Sequence, residues 1–329
     1  MSNTNSQHAR PKSRLLITRR VFPAVIEALA DHFEIEHNEA DEPWGPEAMR
    51  QRVASIDALY TVATDRIDAS VIQAAPHLKM IATGSVGYNH IDLAACRQRG
   101  IPVSHTPDVL TEATADMAWA LLMATARRLT ESERWLRDGS WQGWAWDQFL
   151  GADLHGANLG IVGMGRIGAA IARRAQGFSM RVFYHNRSES PQAKGLGASL
   201  MSLNDLLAAS DHVVLVLPYS QATHHVIGAE QIRQMKPTAT LINIARGGIV
   251  DDQALAAALQ ERRIAAAGLD VFEGEPQVHP DLLACNNIVL TPHIGSATLS
   301  SRLGMAMLAA RNLLAWRSGS PLLTPVPGL

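Results

Sequence analysis

The sequence predicts an α/β protein with two Rossmann-like, doubly wound parallel-sheet domains and a cleft between them. Two observations support this fold class. Short apolar segments rich in β-branched residues alternate with segments of helical spacing, once before Thr106 and again from Leu159 onward. That alternation is typical of parallel sheets with crossover helices. The chain also has 329 residues, which is enough for two domains.

The first set of segments makes a complete small α/β unit without a glycine fingerprint of its own. Its predicted helices are Phe22–His32 and Asp68–Ala75, and the second of them ends before Pro76. The predicted strands are Leu15–Thr18, Phe33–His37, Asp57–Val62, Met80–Thr83 and Ile101–His105. Apolar and polar residues alternate in Phe33–His37, as they do in a half-buried strand.

A glycine-rich loop, Thr83–Asp92, follows the fourth of these strands and leads into a helix. Its backbone N–H groups are suited to hold a small anion. A plain strand-to-helix turn explains the same residues equally well. Residue types alone leave both interpretations open.

Two segments connect the first set to the second. Thr106–Leu129 has the pattern of one long helix, and Asp138–Leu150 carries Trp141, Trp144 and Trp146 among glycines. The second segment is too aromatic for a free linker. We therefore expect it to pack on another surface, such as that of a second subunit.

The second set of segments is organised around Leu159–Gly168, an apolar strand that runs into Gly163-x-Gly165-x-x-Gly168 and then into a helix. A strand, a tight glycine turn and a helix N-terminus together form an anion site, and this predicts dinucleotide binding. Gly163 permits the turn, Gly165 lets a pyrophosphate approach the backbone, and Gly168 lets helix and strand pack closely. The remaining predicted elements are the strands Arg181–His185, His212–Leu217, Thr240–Ile244, Ile264–Asp270 and Asn287–Leu290, and a final helix at Thr298–Trp316.

Composition and charge argue against several classes of function. Hydrophobic residues make up 47% of the chain, charged residues 18%, and the net charge is -2. This balance is that of an ordinary globular protein and does not suggest a nucleic-acid or membrane-surface partner. The polar segment Met1–Lys12 is interpreted as a disordered tail rather than a secretory signal, and the apolar run Ala118–Ala126 is too short to span a bilayer. Cys96 and Cys285 lack metal-ligand spacing, so we expect two buried free thiols, no metal and a cytoplasmic protein.

Three residues that follow predicted strands have the chemistry of a 2-oxo acid reductase: Arg246, Glu275 and His293. An arginine fork can bind a substrate carboxylate with two hydrogen bonds. A histidine can give a proton to the carbonyl oxygen when hydride arrives, and a carboxylate beside it would fix its tautomer and favour the imidazolium. Each residue taken alone has a simpler explanation, namely a surface charge, a turn residue and a loop residue. Their joint position after strands, beside a glycine fingerprint, favours the functional interpretation.

The segment after the second strand of this set indicates which dinucleotide is bound. NAD enzymes place an acidic residue there for the ribose hydroxyls, whereas this chain has His185-Asn186-Arg187-Ser188. Arg187 can lie against a 2′-phosphate, and Asn186 and Ser188 can donate hydrogen bonds to it. We therefore expect NADP(H) as the preferred cofactor, with NAD(H) possible.

Four motifs, in order along the chain, resemble those of the D-isomer-specific 2-hydroxyacid dehydrogenases. They are Leu159–Gly168, Ile244–Asp251, Gly268–Pro276 and Thr291–Ala297. The resemblance implies that Arg246 binds the substrate, that Glu275 supports His293 as the acid/base, and that Asp270 lies near the nicotinamide. It also identifies Ser85-Val86-Gly87 with the family's carboxylate-binding turn. Further cofactor contacts are expected at Thr114, Met164, Arg166, Ile167, Pro218, Thr223, Ile244, Ala245 and Gly295.

The same resemblance predicts the domains and the assembly. Residues 14–105 and 294–329 would form the substrate-binding domain, residues 106–293 the dinucleotide-binding domain, and residues 1–13 a tail. A homodimer is expected through Thr106–Leu129 and the tryptophan-rich segment, with Trp141 reaching the substrate pocket of the neighbouring subunit.

Within the family, the chain looks most like the glyoxylate/hydroxypyruvate reductases and the 2-ketogluconate reductases. A small 2-oxo acid is therefore the expected substrate. The alternatives are a phosphite dehydrogenase, a 3-phosphoglycerate dehydrogenase and a dinucleotide-sensing corepressor. The loop Ser85–Gly87 has no lysine to hold a phosphorus oxyanion, and the regulatory C-terminal extension of many 3-phosphoglycerate dehydrogenases is not recognisable. A corepressor of this architecture need not turn over quickly.

Overall fold

The structure, a computed structural model, describes residues 11–329 and divides into two compact units. One unit runs to Val109 and includes Leu299–Leu329, and the other is Leu110–Thr298. Most of the predicted N-terminal tail lies outside the described residues, and the first strand begins at Ser13. Both units are α/β, as the sequence predicts.

The first unit contains a five-stranded parallel sheet with the order β2-β1-β3-β4-β5. Its strands are β1 (Ser13–Ile17), β2 (Phe33–His37), β3 (Ala58–Thr61), β4 (Met80–Thr83) and β5 (Val103–Ser104). Its helices are α1 (Pro23–Ala30), α2 (Pro46–Val53), α3 (Ala69–Gln73), α4 (Leu93–Gln98) and the last helix of the chain, α12 (Leu299–Ser318).

Both faces of this sheet are covered, which explains its nearly continuous apolar strands. Leu15 and Ile17 pack in the cluster that includes residues of α1 and α12, whereas Leu16 between them packs in the opposite cluster with residues of α2 and α3. The side-chain alternation of a strand thus divides β1 between two cores.

The second unit contains a seven-stranded parallel sheet with the order β12-β11-β10-β9-β6-β7-β8. The strands are β6 (Asn158–Val162), β7 (Arg181–His185), β8 (Ser199–Leu200), β9 (His212–Leu215), β10 (Thr240–Asn243), β11 (Ala266–Leu269) and β12 (Ile288–Leu290). Its helices are α5 (Thr111–Ala126), α6 (Leu129–Arg137), α7 (Arg166–Ala175), α8 (Leu203–Ala209), α9 (Ala229–Gln234), α10 (Asp252–Gln260) and α11 (Pro280–Leu283). The strand order reverses between β6 and β9, and open sheets of this kind bind ligands beyond the strand ends at such a point.

The prediction of one helix over Thr106–Leu129 is wrong. The helix begins later, at Thr111, after Pro107 and a left-handed Asp108 (φ 72°). It ends at Ala126, and Arg128 is also left-handed (φ 51°). The Ala126 carbonyl at the end of α5 accepts the Ala152 N–H at 2.8 Å, a donor that is distant in sequence. A second helix, α6, begins at Leu129.

Two smaller expectations are settled by the structure. Cys96 and Cys285 are both free and buried, as predicted. No helix among residues 11–329 is long and apolar enough to cross a membrane.

Candidate active site

The glycine turn lies at the point where the order of the second sheet reverses. Gly163 has φ 105°, and a Cβ there would lie 2.8 Å from the Val216 carbonyl that follows β9. A Cβ on Gly168 would lie 2.3 Å from the Gly163 oxygen, so this glycine lets α7 pack against the turn. A Cβ on Gly165 would meet nothing within 4 Å. No protein atom therefore requires a glycine at this position. In the glycine fingerprint, the residue at this position is a glycine so that a ligand can approach the backbone.

Two polar residues after β7 hold the glycine turn in place. The Asn186 Oδ1 accepts the Met164 N–H at 2.8 Å, and the buried Ser190 hydroxyl donates to the Met164 carbonyl at 2.5 Å. The side-chain oxygen of Asn186 is thus engaged within the protein, and its side-chain N–H groups can still donate to a ligand. Arg187 and Ser188 are exposed, and among residues 11–329 no hydrogen bond or ion pair engages the Arg187 guanidinium.

Arg246 lies in the turn after β10, which a buried asparagine shapes. The Asn243 side chain accepts the Ala245 N–H at 3.0 Å and donates to the Arg246 carbonyl at 3.1 Å. A Cβ on Gly247 would overlap the Phe272 carbonyl, at 1.7 Å, so this turn packs directly on the loop after β11. Burial lowers the pKa of Arg246, and the charge of Glu275 opposes that shift.

Glu275 and His293 form a direct pair. The Nδ1 of His293 lies 2.8 Å from the Oε2 of Glu275, while the Oε1 accepts the Phe272 N–H at 2.9 Å. Burial acts to raise the pKa of Glu275, but the hydrogen bonds from His293 and Phe272 and the charge of Arg246 outweigh it. The pKa of Glu275 is therefore lowered, and the carboxylate is ionised at neutral pH.

Asp270 fixes the backbone that carries His293. Its carboxylate accepts the Ile294 N–H at 2.8 Å, the Gly295 N–H at 2.7 Å and the Thr291 hydroxyl at 2.7 Å. The Asp270 carbonyl accepts the His293 N–H at 2.9 Å. These bonds stabilise the left-handed conformation of His293 (φ 52°), which is uncommon outside glycine.

Other expected cofactor contacts also group on the second unit. A Cβ on Gly295 would lie 3.1 Å from Asp270 Oδ2 and 3.7 Å from Thr114 Cγ2 on α5, so these three residues are neighbours. The Thr223 hydroxyl donates to the Pro218 carbonyl at 3.0 Å and closes the turn after β9. Arg166 and Ile167 begin α7, and Ile244 and Ala245 follow β10.

The remaining predicted site residues, Ser85, Val86 and Gly87, belong to the first unit. The Ser85 hydroxyl donates to the Gly87 carbonyl at 2.6 Å, and the His105 Nδ1 lies 2.9 Å from the Val86 carbonyl. Within the described part of the chain, nothing accepts the N–H groups of Val86 and Gly87. The turn thus has its carbonyls engaged and its amide donors available, which is the arrangement of an anion-binding loop.

Several residues that hold this site together were not predicted from the sequence. Asn243, Ser190 and His105 each bond to the backbone of a loop that carries a site residue, and the Thr291 hydroxyl donates to the Asp270 carboxylate. A polar residue at the end of an apolar strand is the one signal that would have drawn attention to Asn243 and His105.

A seven-stranded parallel sheet with a glycine fingerprint at its reversal point, and an Arg, a Glu and a His beyond its strand ends, defines a dinucleotide-dependent oxidoreductase. Comparison with known proteins agrees. Residues 119–295 match the family model described as D-isomer specific 2-hydroxyacid dehydrogenase, NAD binding domain. The glyoxylate reductase of Thermococcus onnurineus is 51% identical over 313 residues, which are 94% of each chain.

Solved structures agree as well. An NADPH-dependent glyoxylate/hydroxypyruvate reductase from Sinorhizobium meliloti, in complex with NADP and malonate, has a TM-score of 0.87 and 36% identity over 96% of this chain and 97% of that one. A glyoxylate reductase from Paecilomyes thermophila has a TM-score of 0.88 and 35% identity over 97% and 99%. The present chain belongs to the D-isomer-specific 2-hydroxyacid dehydrogenase family and is an NAD(P)-dependent dehydrogenase.

Proposed function

We propose that this enzyme reduces a short 2-oxo acid, such as glyoxylate or hydroxypyruvate, or a sugar acid such as 2-ketogluconate, to the D-2-hydroxy acid with NADPH. The observation that carries the proposal is the His293–Glu275 pair, 2.8 Å apart, on the same sheet edge as the Arg246 turn and the glycine turn. The relatives named glyoxylate reductase, at about half identity, support the substrate class.

In this proposal His293 is the proton donor. NADPH, when bound, supplies the hydride that reaches the carbonyl carbon of the substrate. The oxygen then needs a proton during transfer, because a free alkoxide is a very poor species. The imidazolium of His293 donates that proton and also polarises the carbonyl beforehand. Glu275 stabilises the imidazolium through Nδ1, which leaves Nε2 to face the substrate.

Arg246 would bind the substrate carboxylate. Arg246 is half-buried, and desolvation lowers the pKa of its guanidinium, so an anionic partner would strengthen its charged form. A planar fork suits a carboxylate better than a lysine does. The unsatisfied N–H groups of Val86 and Gly87 on the first unit are proposed as further donors to the carboxylate.

Several features of the chain support NADPH as the cofactor. The glycine turn provides the pyrophosphate site, and Gly165 leaves open space next to its backbone. The segment His185–Ser188 has no acidic side chain to repel a 2′-phosphate. Arg187 is exposed and is available to bind that phosphate. The Sinorhizobium relative, whose name states NADPH dependence, supports the same choice.

The test is a steady-state assay of a panel of 2-oxo acids with NADPH and with NADH. We expect glyoxylate and hydroxypyruvate to be reduced, NADPH to have the higher kcat/KM, and hydroxypyruvate to give the D-product. Exclusive formation of the L-product, or a preference for NADH, would reject the corresponding part of the proposal. Absence of any turnover would instead favour a dinucleotide-binding role without rapid catalysis.

We also propose the domain roles and a homodimer. The unit Leu110–Thr298 would bind the dinucleotide, and the match of residues 119–295 to an NAD-binding domain supports this. The unit with the Ser85–Gly87 turn would bind the substrate. The dimer would form through α5, α6 and the tryptophan-rich segment, since Trp144 and Trp146 are largely exposed and no residue of α6 is buried.

A further inference from the structure

Three side chains able to bind a metal ion lie together on the second unit: His224, His225 and Glu273. One ligand atom of each lies within 4.8 Å of the other two. The histidines follow the short helical turn Gln221–Thr223 after β9, and Glu273 lies in the loop after β11. The histidines are half-buried and Glu273 is exposed, so an ion from solvent can reach all three.

Each histidine ring has a second polar group beside its Nδ1. On His225, Nε2 lies 2.8 Å from Glu273 Oε2, and Nδ1 lies 3.9 Å from Asp251 Oδ2. On His224, Nδ1 lies 3.3 Å from the Tyr219 hydroxyl. A carboxylate or hydroxyl on one ring nitrogen orients an imidazole whose other nitrogen binds a metal. The Tyr219 contact leaves Nε2 of His224 for the ion, and Nε2 of His225 is the nitrogen that faces Glu273.

The two imidazole rings are stacked, with centroids 3.8 Å apart and 23° between their planes. A cation between the rings and Glu273 would also bring a second carboxylate, Asp251, into a favourable electrostatic position.

The backbone holds these ligands in place without an ion. His225 has φ 50°, a conformation uncommon outside glycine, and its N–H donates to the Gly248 carbonyl at 2.8 Å. The Glu273 N–H donates to Asp252 Oδ2 at 3.0 Å. Ligands on a fixed backbone lose less conformational entropy when an ion binds. An uncommon conformation kept by its surroundings is also a reason to look for function.

We propose that His224, His225 and Glu273 form a binding site for a zinc ion, with Tyr219 orienting the imidazole of His224 and the Asp251 carboxylate lying near that of His225. Two imidazole nitrogens and one carboxylate oxygen are an established zinc ligand set, in which water takes the fourth position. Zinc–ligand bonds of about 2.0–2.2 Å place tetrahedral ligand atoms roughly 3.5 Å apart. The proposal does not depend on the reductase assignment.

The test is calorimetric titration of the full-length protein, without a polyhistidine tag, with zinc chloride near neutral pH. The site variants are His224→Ala and Glu273→Gln, and the matched controls are His155→Ala and Glu261→Gln, whose side chains are exposed at other places on the same unit. We expect one zinc ion per chain for the wild type and the controls. Each site variant should bind at least tenfold more weakly, because it lacks a ligand.

Two further measurements separate loss of a ligand from loss of the fold. Asparagine tolerates the left-handed backbone, so His225→Asn should keep the melting temperature of the metal-free protein and still lose zinc affinity. Cobalt(II) should give the visible absorption bands of a four-coordinate ion in the wild type and lose them in the site variants. Stoichiometric zinc binding of unchanged affinity in His224→Ala and Glu273→Gln would overturn the proposal. So would wild-type protein that binds no zinc, or binding that is lost in His293→Ala instead.

Discussion

Glu275 binds two partners at once, and this fixes its charge. One carboxylate oxygen accepts a backbone N–H and the other pairs with His293. Because the pKa of Glu275 is lowered although partial desolvation acts to raise it, the carboxylate stays ionised over the pH range of ordinary assays. The negative charge that faces His293 Nδ1 is therefore present at neutral pH.

The first prediction concerns the pH profile of reduction. The rate should fall as pH rises, because His293 loses the proton that it donates. Glu275→Gln keeps the shape of the side chain but removes the charge that stabilises the imidazolium, so the falling limb should move to lower pH. His293→Ala should lower kcat by on the order of a hundredfold or more. A Glu275→Gln profile that superimposes on those of the wild type and of the control Glu261→Gln would show that Glu275 does not act on His293.

The second prediction concerns Arg187, an exposed arginine beyond the end of β7. Arg187→Asp places a carboxylate where a 2′-phosphate is proposed to bind, so NADPH binding should weaken by about a hundredfold or more, which is roughly 3 kcal/mol. NADH binding should change much less. Fluorescence titration with both dinucleotides measures this directly. Arg181→Asp at the opposite end of β7 is the matched control, and equal losses in both variants would refute a specific role for Arg187.

Single residues also show how far the sequence could predict the site. Arg246, Glu275, His293 and the three glycines could be predicted as site residues because each has a chemical or steric reason that is visible in the local sequence. The residues that position them were not found. Ser190 bonds to Met164 and Asn243 to the turn of Arg246, and such contacts depend on which loops the fold brings together.

At the level of secondary-structure elements, each of the two sheets has an aspartate at its N-terminal edge that bonds to a neighbouring strand and to a lysine. Asp57, just before β3, accepts the N–H of Arg14 in β1 at 3.0 Å and pairs with Lys79 at 2.9 Å. Asp211, just before β9, accepts the Asn158 N–H in β6 at 2.9 Å and pairs with Lys236 at 2.7 Å. Each aspartate thus links the two strands between which the strand order of its sheet reverses.

The third prediction concerns the pH dependence of stability. Burial opposes ionisation of Asp211, but Lys236 and the Asn158 N–H outweigh it, so the pKa is lowered from 3.8. A carboxyl group whose pKa is lower in the folded than in the unfolded protein stabilises the fold at pH values above its unfolded-state pKa. This contribution is lost as the pH falls through the folded-state pKa. Asp211→Asn should therefore reduce the free energy of unfolding by about 1 kcal/mol at pH 7, and the difference should shrink below pH 4.

Denaturant unfolding at several pH values measures this difference. Asp31→Asn, at an exposed position at the end of α1, is the control and should have little effect at any pH. A deficit in Asp211→Asn that stays the same at acid and neutral pH would mean that the carboxylate charge contributes nothing.

Elements differed in how well the sequence predicted them. Eleven of the twelve strands were located within a few residues because buried parallel strands are continuous apolar runs, whereas the short, exposed β8 was not predicted. The helices α2 and α8 to α11 were not predicted; each has nine residues or fewer, which gives little room for a helical period to show. The break between α5 and α6 could not be predicted, since Arg127 and Arg128 continue a helical pattern. The Ala152 N–H that binds the end of α5 comes from 26 residues further on.

At the level of the whole molecule, the fourth prediction is a homodimer in solution. Leu129 and Leu136 on α6 are more than half exposed, and Trp144 and Trp146 are 70% and 86% exposed. Apolar exposure of this extent marks a protein interface. Leu129→Ser and Trp146→Ser should raise the dimer dissociation constant at least tenfold, about 1.4 kcal/mol each. The control is Leu283→Ser, since Leu283 is 62% exposed but lies outside this region.

Sedimentation velocity over a concentration series measures that dissociation constant. A wild type that is monomeric at micromolar concentration would contradict the dimer. Equal weakening by Leu283→Ser would place the interface elsewhere on the chain.

The last prediction, which depends on the dimer, is that Trp141 contacts the substrate of the neighbouring subunit. Trp141 is 53% exposed, and its ring N–H donates to the Gly143 carbonyl at 2.7 Å, so the indole is oriented although it is not buried. An indole against a bound 2-oxo acid would contribute about 1 kcal/mol, or roughly a fivefold change in affinity. Trp141→Ala should therefore raise KM for glyoxylate and hydroxypyruvate by about that factor in the dimeric fraction, with kcat and the dinucleotide KM little changed. Trp44→Ala, which removes a tryptophan of the first unit that stacks with Arg52, should leave KM as it is. Unchanged KM for every 2-oxo acid in dimeric Trp141→Ala would mean that this residue stabilises the interface alone.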